Sequence, residues 1–254
     1  MKEAFTSFKL QYLLFLVSIM SFTAQAPVSA QFFLDLETGL AGTGYNDVRI
    51  PGNGGTFFSL KDDLDAKPGW FYRVRAGYTI KERHTLSLLY APLTLKSEGS
   101  SGFDILFEGV TFAAGMDLSG TYKFNSYRLT YRYDLVRREK LAFGLGLTAK
   151  IRDAKIALES GSLSAEKSNI GFVPIINFRL DWQAGERLGI LLDGDALAAP
   201  QGRAEDVLLA VTYRLSDNIR LKAGYRILEG GADNDEVYNF ALVNYAAVGV
   251  IVSR

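Results

Sequence analysis

The sequence predicts an all-β protein: a single closed antiparallel β-barrel that crosses a membrane with about ten strands, eight being the alternative. Three observations predict this fold. Apolar and polar residues alternate with a period of two through nearly the whole chain after residue 30. The connections between the alternating segments are short and long in turn. Segments such as YRLTYRYDL (127–135) also combine an aromatic, apolar face with a charged face.

Composition narrows the classes of protein that remain. The 254 residues include 28 Lys and Arg against 28 Asp and Glu, and this balance does not suggest a nucleic-acid partner. The chain has no Cys, which excludes disulfides, thiolate metal sites and Cys nucleophiles. After residue 30 no segment approaches the run of about 20 apolar residues that a membrane-spanning helix needs.

The first 30 residues have the order of a secretory signal peptide. Lys2 and Lys9 flank a polar start, YLLFLVSIMSF (12–22) is a short apolar core, and VSA (28–30) fits the small-x-small cleavage rule. We expect cleavage after residue 30, which leaves 31–254 as the barrel domain of an exported protein. The alternative is that the apolar core is a buried helix of the fold.

Ten candidate strands follow the signal peptide. No long segment among them has convincing helical periodicity, and glycines often lie inside the strands. The predicted ranges are 32–45, 69–80, 84–95, 120–136, 141–158, 163–182, 187–197, 206–215, 219–228 and 236–252.

The connections are predicted to differ between the two ends of the barrel. Those after residues 80, 136, 182 and 215 are short, and those after 45, 95, 158, 197 and 228 are longer. Short turns at one end and long loops at the other are typical of outer-membrane barrels, and an even strand count places both termini at the short-turn, periplasmic end. We also expect a hairpin above the membrane, built from 105–112 and 117–124.

The apolar phase of each strand is assigned to lipid. In the fourth and fifth strands it includes Tyr127, Leu129, Leu145 and Leu147, and aromatic residues concentrate toward strand ends, as interfacial girdles require. The opposite phase is small or charged. An Arg or Lys at mid-depth on the lipid face would cost roughly 2–4 kcal/mol, so these charges must face the lumen.

We expect the inward charges to form a network of Arg–Asp and Arg–Glu pairs that leaves at most a thin water path through a narrow barrel. The predicted lumen charge network comprises Asp35, Glu37, Arg73, Arg75, Arg128, Arg132, Lys150, Arg152, Arg179, Asp181, Asp193, Asp195, Arg214, Arg220, Lys222 and Arg226, with Asp134 in the same phase.

A soluble barrel fits the same alternation. A lipocalin-like protein would place the apolar phase inside and the charges outside. The strand number, the loop asymmetry and the aromatic girdles therefore favour the membrane barrel over a soluble periplasmic barrel that binds a ligand.

Catalysis has two weak candidates, and no catalytic residue, metal or cofactor is assigned. His84, the only histidine, follows a short turn and is expected at the periplasmic rim, whereas a Ser-His-Asp site needs its histidine at a substrate-accessible mouth. Asp193 and Asp195 share a face near the top of the seventh strand and are a conceivable acid/base pair. The simpler alternative is that they bridge to Arg179 or Arg214.

Two outward loops carry side chains of the types that bind ions in other proteins. EGGADNDE (229–236) offers carboxylates that suit calcium, without the spacing of an EF-hand. APQGRAED (199–206) offers Arg203 to a phosphate. A solvated hairpin tip is the simpler explanation of the first loop, and the phosphate signal of the second is weak.

The stretches YKFNSYRLTYRYDL and GYRILEGGADNDEVYNF resemble small outer-membrane β-barrels of Gram-negative bacteria, the OmpA-like and OmpW-like group, and an uncharacterised family of such barrels. The resemblance covers 31–254 at the level of architecture and implies no site residues. The sequence departs from this group in two ways: it predicts ten strands rather than eight, and it ends on Arg254 rather than on the aromatic residue that the barrel-assembly machinery recognises.

The expected function is that of a non-enzymatic outer-membrane barrel, either a narrow small-solute channel or a structural and surface-contact protein. The alternative from another class is an enzyme acting on lipid or peptide at the extracellular rim through Asp193 and Asp195. The expected partners are outer-membrane lipid, lipopolysaccharide, the barrel-assembly machinery and periplasmic chaperones, and no nucleic acid.

Overall fold

The computed structural model describes residues 30–199 and 202–254. The predicted signal peptide lies outside these residues, apart from its last position. No helix within the described ranges is long and apolar enough to cross a membrane. The strands are β1 Ala30–Arg49, β2 Phe58–Ser59, β3 Asp65–Lys67, β4 Gly69–Ile80, β5 His84–Ala91, β6 Thr94–Gly99, β7 Ile105–Phe107, β8 Val110–Phe112, β9 Leu118–Arg138, β10 Leu141–Ser160, β11 Leu163–Gln183, β12 Leu188–Ala199, β13 Gly202–Arg214, β14 Ile219–Asp233 and β15 Tyr238–Ser253.

Ten of these strands form a closed antiparallel barrel, which confirms the predicted fold class. Around the wall the order is β10, β11, β12, β13, β14, β15, β1, β4, β5 and β9, and β9 pairs with β10 to close the ring. The observed bounds of β4 are those predicted for the second strand. The predicted third strand, 84–95, is divided into β5 and β6 at Pro92, which has no N–H to donate to a ladder.

Several connections that were predicted to be long are tight, and this corrects the sequence interpretation. Two residues, 161 and 162, join β10 to β11, and the pairing of β12 with β13 extends to Ala199↔Gly202. The backbone ladder continues past the apolar belt because strand N–H and C=O groups still need partners there. Both faces of a strand can be polar above that belt, so the alternation that marks a strand is lost.

The predicted hairpin of 105–112 with 117–124 is also wrong. The first segment folds on itself as the hairpin of β7 and β8, and the second belongs to the barrel strand β9. The turn residues Glu108 and Gly109 both have positive φ, at 47° and 79°, the geometry that tight two-residue hairpins favour.

The long-loop end of the barrel is covered by the connections 50–68 and 100–117. The side chains of Ile50, Phe58, Leu60, Leu64, Ile105, Phe107 and Phe112, which we call the apolar cap, are all fully buried. The rings of Phe58 and Phe107 meet edge to face, with centroids 6.0 Å apart. Backbone hydrogen bonds tie the two connections together: Thr56 N–H donates to Leu106 O (2.9 Å) and Glu108 N–H to Ile50 O (3.1 Å).

The ladders between wall strands differ in length, and this difference leaves a gap between β11 and β12. β11 pairs with β10 from Ser160↔Leu163 to Leu141↔Trp182, but with β12 only between Ile176↔Ala196 and Gln183↔Gly189. The ladders of the described chain therefore leave residues 163–175 of β11 without a neighbour on the β12 side. We call this open edge, above the last β11–β12 pair, the side notch.

Candidate functional site

The strand alternation sorts side chains into an apolar exterior and a charged interior. Trp70 on β4 is 77% exposed and Leu147 on β10 is 70% exposed, although both are large apolar residues. The inward neighbours Lys150 and Arg128, in contrast, are 2% and 3% exposed. A period of two puts successive residues on opposite faces of the wall, so the sequence itself produces this inverted distribution.

Aromatic residues lie at two levels of the outer surface. Toward the long-loop end the rings of Tyr72, Tyr90 and Tyr127 follow one another around the wall, with centroids 6.1 and 5.3 Å apart. Toward the short-turn end His84 lies beside Tyr131 and Tyr133, and its Nδ1 is 2.9 Å from the Tyr131 hydroxyl. His84 thus lies at the end of the barrel where the sequence predicts it.

Ten deeply buried charged residues form one group in the middle of the barrel, the central charge cluster. It contains five cations and five acids, none more than 8% exposed: Asp35, Glu37, Arg73, Arg75, Arg128, Asp193, Asp195, Asp206, Lys222 and Arg226. Formal charges in this cluster therefore cancel.

Asp206 on β13 joins three strands of the cluster. Its Oδ2 accepts hydrogen bonds from Arg73 Nη2 (2.9 Å) and Arg128 Nη2 (2.5 Å), and its Oδ1 accepts one from Arg226 Nη1. The sequence predicts Asp206 at the boundary between an outward loop and the eighth strand, and the predicted network does not include it. Its even spacing from Leu208 on β13 was the signal that it faces the same way as that buried residue.

Glu37 and Asp35 of β1 hold the opposite side of the cluster. Glu37 accepts hydrogen bonds from Arg226 Nε and Lys222 Nζ, both at 2.7 Å. Lys222 Nζ also lies 2.7 Å from Asp35 Oδ1, so one ammonium bridges two carboxylates on the same strand. Charged hydrogen bonds of this kind compensate for the loss of water around each ion.

Asp193 and Asp195 lie inside this cluster, not at a rim as the enzyme alternative requires. Asp193 is 2.6 Å from Arg75 Nη1, and Asp195 is 2.6 Å from Arg128 Nη1. Asp195 Oδ1 also accepts from Thr148 Oγ1 at 2.7 Å. Carboxylates that are buried and already engaged by guanidinium groups cannot exchange protons with a substrate bound at the barrel mouth.

The inward charges nearest the short turns line an open cavity of about 630 Å³, the vestibule. Asp181 accepts from Arg220 Nη1 at 2.8 Å, and Arg214 Nη2 donates to Gln183 Oε1 at 2.6 Å. A Cβ on Gly144 would come within 2.5 Å of the Asp134 carboxylate, so the glycine makes room for the charged lining. The predicted network residues Arg132, Arg179, Asp181, Arg214 and Arg220 line this vestibule.

Two predicted network cations lie on the other side of the cluster, toward the side notch. Lys150 Nζ lies 4.8 Å from the centroid of the Phe124 ring. Arg152 Nη2 donates to Asn169 Oδ1 of β11 at 2.5 Å. In the part of the chain that the structure describes, neither cation forms a salt bridge.

The outer wall at β13, β14 and β1 carries a separate polar group. Arg203 donates from Nε and Nη2 to the two carboxylate oxygens of Glu229, at 2.8 and 2.7 Å, and Tyr45 donates its hydroxyl to the same carboxylate. Partial burial raises the pKa of Glu229, but the hydrogen bonds from Arg203 and Tyr45 outweigh burial, so this pKa lies below its ordinary value. Arg203, which the sequence offered to a phosphate, is thus already occupied.

The acidic loop near residue 235 is held by its own backbone. Asn234 Oδ1 accepts hydrogen bonds from the N–H groups of Glu236 (3.0 Å) and Val237 (2.9 Å). Over residues 30–199 and 202–254, no group of three or more His, Asp or Glu side chains is placed to hold a metal ion.

Comparison with known proteins identifies similar folds but no family. No protein-family model matches the chain, and no curated protein matches it significantly. The outer membrane protease OmpT of Escherichia coli aligns over 88% of this chain and 97% of its own, with 10% identity and a TM-score of 0.52. Neisserial surface protein A aligns over 87% and 96%, with 18% identity and a TM-score of 0.37. The toluene transporter TodX of Pseudomonas putida aligns over 90% and 89%, with 12% identity and a TM-score of 0.34. The likeness to OmpT concerns the barrel fold alone.

Proposed function

We propose that this chain is an outer-membrane β-barrel protein with a structural or surface-contact role and no open channel. Residues 1–30 would export it, the short turns would face the periplasm and the long loops would face outward. The observation that carries the proposal is the inverted distribution of side chains, with large apolar groups exposed on the outer wall and charges buried inside.

The exposed apolar surface favours lipid over water as its surroundings. Soluble monomers rarely expose a continuous apolar patch larger than a few hundred Å². Here exposed Leu, Ile, Phe and Trp side chains occur on the outer face of β4, β9, β10 and β11. The two aromatic levels bound this surface, as the girdles of outer-membrane barrels do. A soluble periplasmic barrel would need the opposite distribution.

The interior favours a closed barrel over a small-solute channel. The central charge cluster crosses the lumen, and the apolar cap covers the long-loop end. The cavity between Phe71, Arg73, Arg128 and Tyr245 measures only about 10 Å³, room for about one water molecule. A solute would have to displace both barriers to pass, so the structural or surface-contact role is the better supported of the two expected functions.

An enzyme of the outer rim has less support, although OmpT is a protease. The two candidate carboxylates, Asp193 and Asp195, are engaged by Arg75 and Arg128 inside the lumen. The only histidine, His84, lies at the short-turn end. We therefore do not extend proteolysis to this chain.

We place the protein in the broader group of small Gram-negative outer-membrane barrels rather than with its eight-stranded members, because ten strands close its wall. Outer-membrane lipid, lipopolysaccharide, the assembly machinery and periplasmic chaperones remain its proposed partners.

Fractionation and conductance together test this proposal. The full chain, expressed in a Gram-negative host, should appear in the outer membrane and migrate differently in gels before and after boiling, as folded barrels do. The purified protein in a planar bilayer should then give no discrete current steps. Recovery in the soluble periplasmic fraction would contradict the membrane location, and regular steps from the folded protein would contradict the closed lumen.

A further inference from the structure

The side notch opens close to the aromatic level at the long-loop end. Tyr127 pairs with Ile151, and Ile151 pairs with Phe172, which is 67% exposed on the lip of the notch. The last β11–β12 pair, Ile176↔Ala196, lies four residues further down β11. In the proposed orientation, the notch therefore begins where the outer leaflet meets its headgroups.

The free edge of β11 does not favour pairing with another strand. Gln183 N–H donates to Lys140 O, and the register of β11 on β10 is unbroken, so odd-numbered residues of β11 bond to β10 and even-numbered ones face the notch. Pro174 is one of the even-numbered residues and has no N–H to offer there. Proline on a strand edge discourages the addition of another strand.

Two cations that form no salt bridge within the described residues lie behind this edge. Lys150 is 2% exposed, and Arg152 keeps a buried Nε without a hydrogen-bond acceptor in the described chain. The five acids of the central charge cluster all lie within salt-bridge distance of the cluster's own cations. A buried charge without a counter-ion is unfavourable, so an anion that joined these cations would stabilise them.

The local backbone directs Arg152 toward the opening. Arg152 pairs across the ladder with Gly171, and a Cβ at that glycine would lie 3.1 Å from Arg152 Nη2. The guanidinium thus lies over the inner face of β11 at Gly171 and donates to Asn169, an exposed residue whose side chain shares the inner phase of the strand. The fork is therefore held on the strand whose far edge is the notch, in an exposed position that a ligand can reach.

We propose that the side notch binds a phosphate group of a phosphorylated lipid headgroup in the outer leaflet. Arg152 would form the direct, forked hydrogen bonds, Asn169 would hold the guanidinium, and Lys150 would add a second positive charge from behind. A guanidinium fork matches phosphate oxygens, and a doubly charged phosphate balances two cations. The inference rests on the proposed outer-membrane location.

Binding of diphosphoryl lipid A tests the proposal. The protein, folded in dodecyl maltoside, is mixed with diphosphoryl lipid A, with its dephosphorylated form or with sodium phosphate, and the complexes are counted by native mass spectrometry. We expect binding of the phosphorylated lipid only, weakened about tenfold or more by Arg152→Gln and by Lys150→Met. Arg152→Lys should restore part of the affinity, because it keeps the charge and loses the fork.

Lys155→Gln is the matched control. Lys155 lies three residues along β10 from Arg152, faces outward and pairs with Glu166 at 3.1 Å, so its loss should leave lipid binding unchanged. Equal binding by wild type, Arg152→Gln and Lys150→Met would overturn the proposal. Equal binding of the dephosphorylated lipid, or full competition by inorganic phosphate at equal concentration, would overturn the assignment to a lipid phosphate.

Ligand-free stability separates a binding role from a structural one. If the role of Lys150 is to bind an anion, Lys150→Met should leave the Tm of the lipid-free protein unchanged or raise it, since an uncompensated buried charge is removed. A clear fall in Tm would show that Lys150 supports the fold and would count against the site. Failure to insert into phosphatidylcholine vesicles would instead count against the membrane location, whatever the notch binds.

Discussion

Asp206 shows how much of the interior depends on single residues. One carboxylate receives Arg226 from the neighbouring strand β14, and Arg73 and Arg128 from strands that are distant in sequence. The strands of Arg73 and Arg128 approach Asp206 only because the barrel closes. The arrangement neutralises charges that the narrow lumen would otherwise force together.

Removing the charge of Asp206 should therefore destabilise the barrel strongly. In Asp206→Asn the three guanidinium groups keep their positions and lose their shared anion, and we expect a loss of about 3–5 kcal/mol in the free energy of unfolding. Urea unfolding from lipid vesicles, followed by tryptophan fluorescence, would measure it.

Glu205→Gln is the control for this change, because Glu205 precedes Asp206 and points to the opposite, outer face. It should alter the free energy of unfolding by no more than about 0.5 kcal/mol. Equal effects of the two substitutions would mean that the charge cluster does not hold the strands together.

Sequence reasoning identifies most inward charges because each lies in a strand with clear alternation, as Arg128 and Arg132 do. It misses Asp206, which lies where the apolar pattern of β13 begins and reads as the end of a loop. It also cannot divide the charges into the central cluster and the vestibule. Which carboxylate meets which cation depends on strands brought together across the lumen, and no local pattern encodes that distance.

The strands are predictable inside the apolar belt and less so above it. β4 matches its predicted bounds, whereas β1, β10, β13 and β14 extend beyond theirs on the long-loop side. In β10 the extension is Glu159 and Ser160, and the outer face below it already carries Asp153 and Lys155, so no lipid contact requires apolar residues there. Backbone hydrogen bonds keep these segments in strands. Such pairing does not require apolar and polar residues to alternate in the sequence.

The apolar cap should behave as a unit that can loosen without the barrel. Phe107 is fully buried against Phe58, and Phe107→Ala should destabilise the cap by about 3–5 kcal/mol. We expect trypsin and chymotrypsin to cleave within 50–68 and 100–117 faster, while the barrel keeps its gel shift before boiling.

Leu106→Ala is the matched comparison, since Leu106 is adjacent and 36% exposed. It should leave the cleavage rate close to that of the wild type. If Phe107→Ala is cleaved no faster than Leu106→Ala, the connections do not pack as a cap.

The free edge of β11 makes a prediction for hydrogen exchange. The amides of Ser168, Ile170 and Phe172 face the side notch and should exchange quickly, whereas the alternate amides of Lys167, Asn169 and Gly171 bond to β10 and should exchange slowly. NMR of the deuterium-exchanged protein in micelles would resolve this alternation. Uniformly slow exchange would mean that another segment covers the edge.

At the scale of the whole molecule, the protein is inverted relative to a soluble fold. Most of its buried charges pair with one another inside, in the central charge cluster, and many large apolar side chains lie outside between two aromatic levels. Water as the surrounding solvent would leave that outer surface exposed, while hydrocarbon would accept it. Membrane location, closure of the lumen and the side notch at the headgroup level all depend on this sidedness.

Spin labels on single cysteines test the sidedness most directly, because the chain has no cysteine of its own. Labels at the outward positions Leu129 and Leu147, in protein folded into lipid vesicles, should collide readily with oxygen and poorly with a water-soluble nickel chelate. Labels at the inward neighbours Thr130 and Thr148 should collide poorly with both. Ready nickel collisions at Leu129 and Leu147, or no difference between the two faces, would contradict the assignment of the apolar wall to lipid.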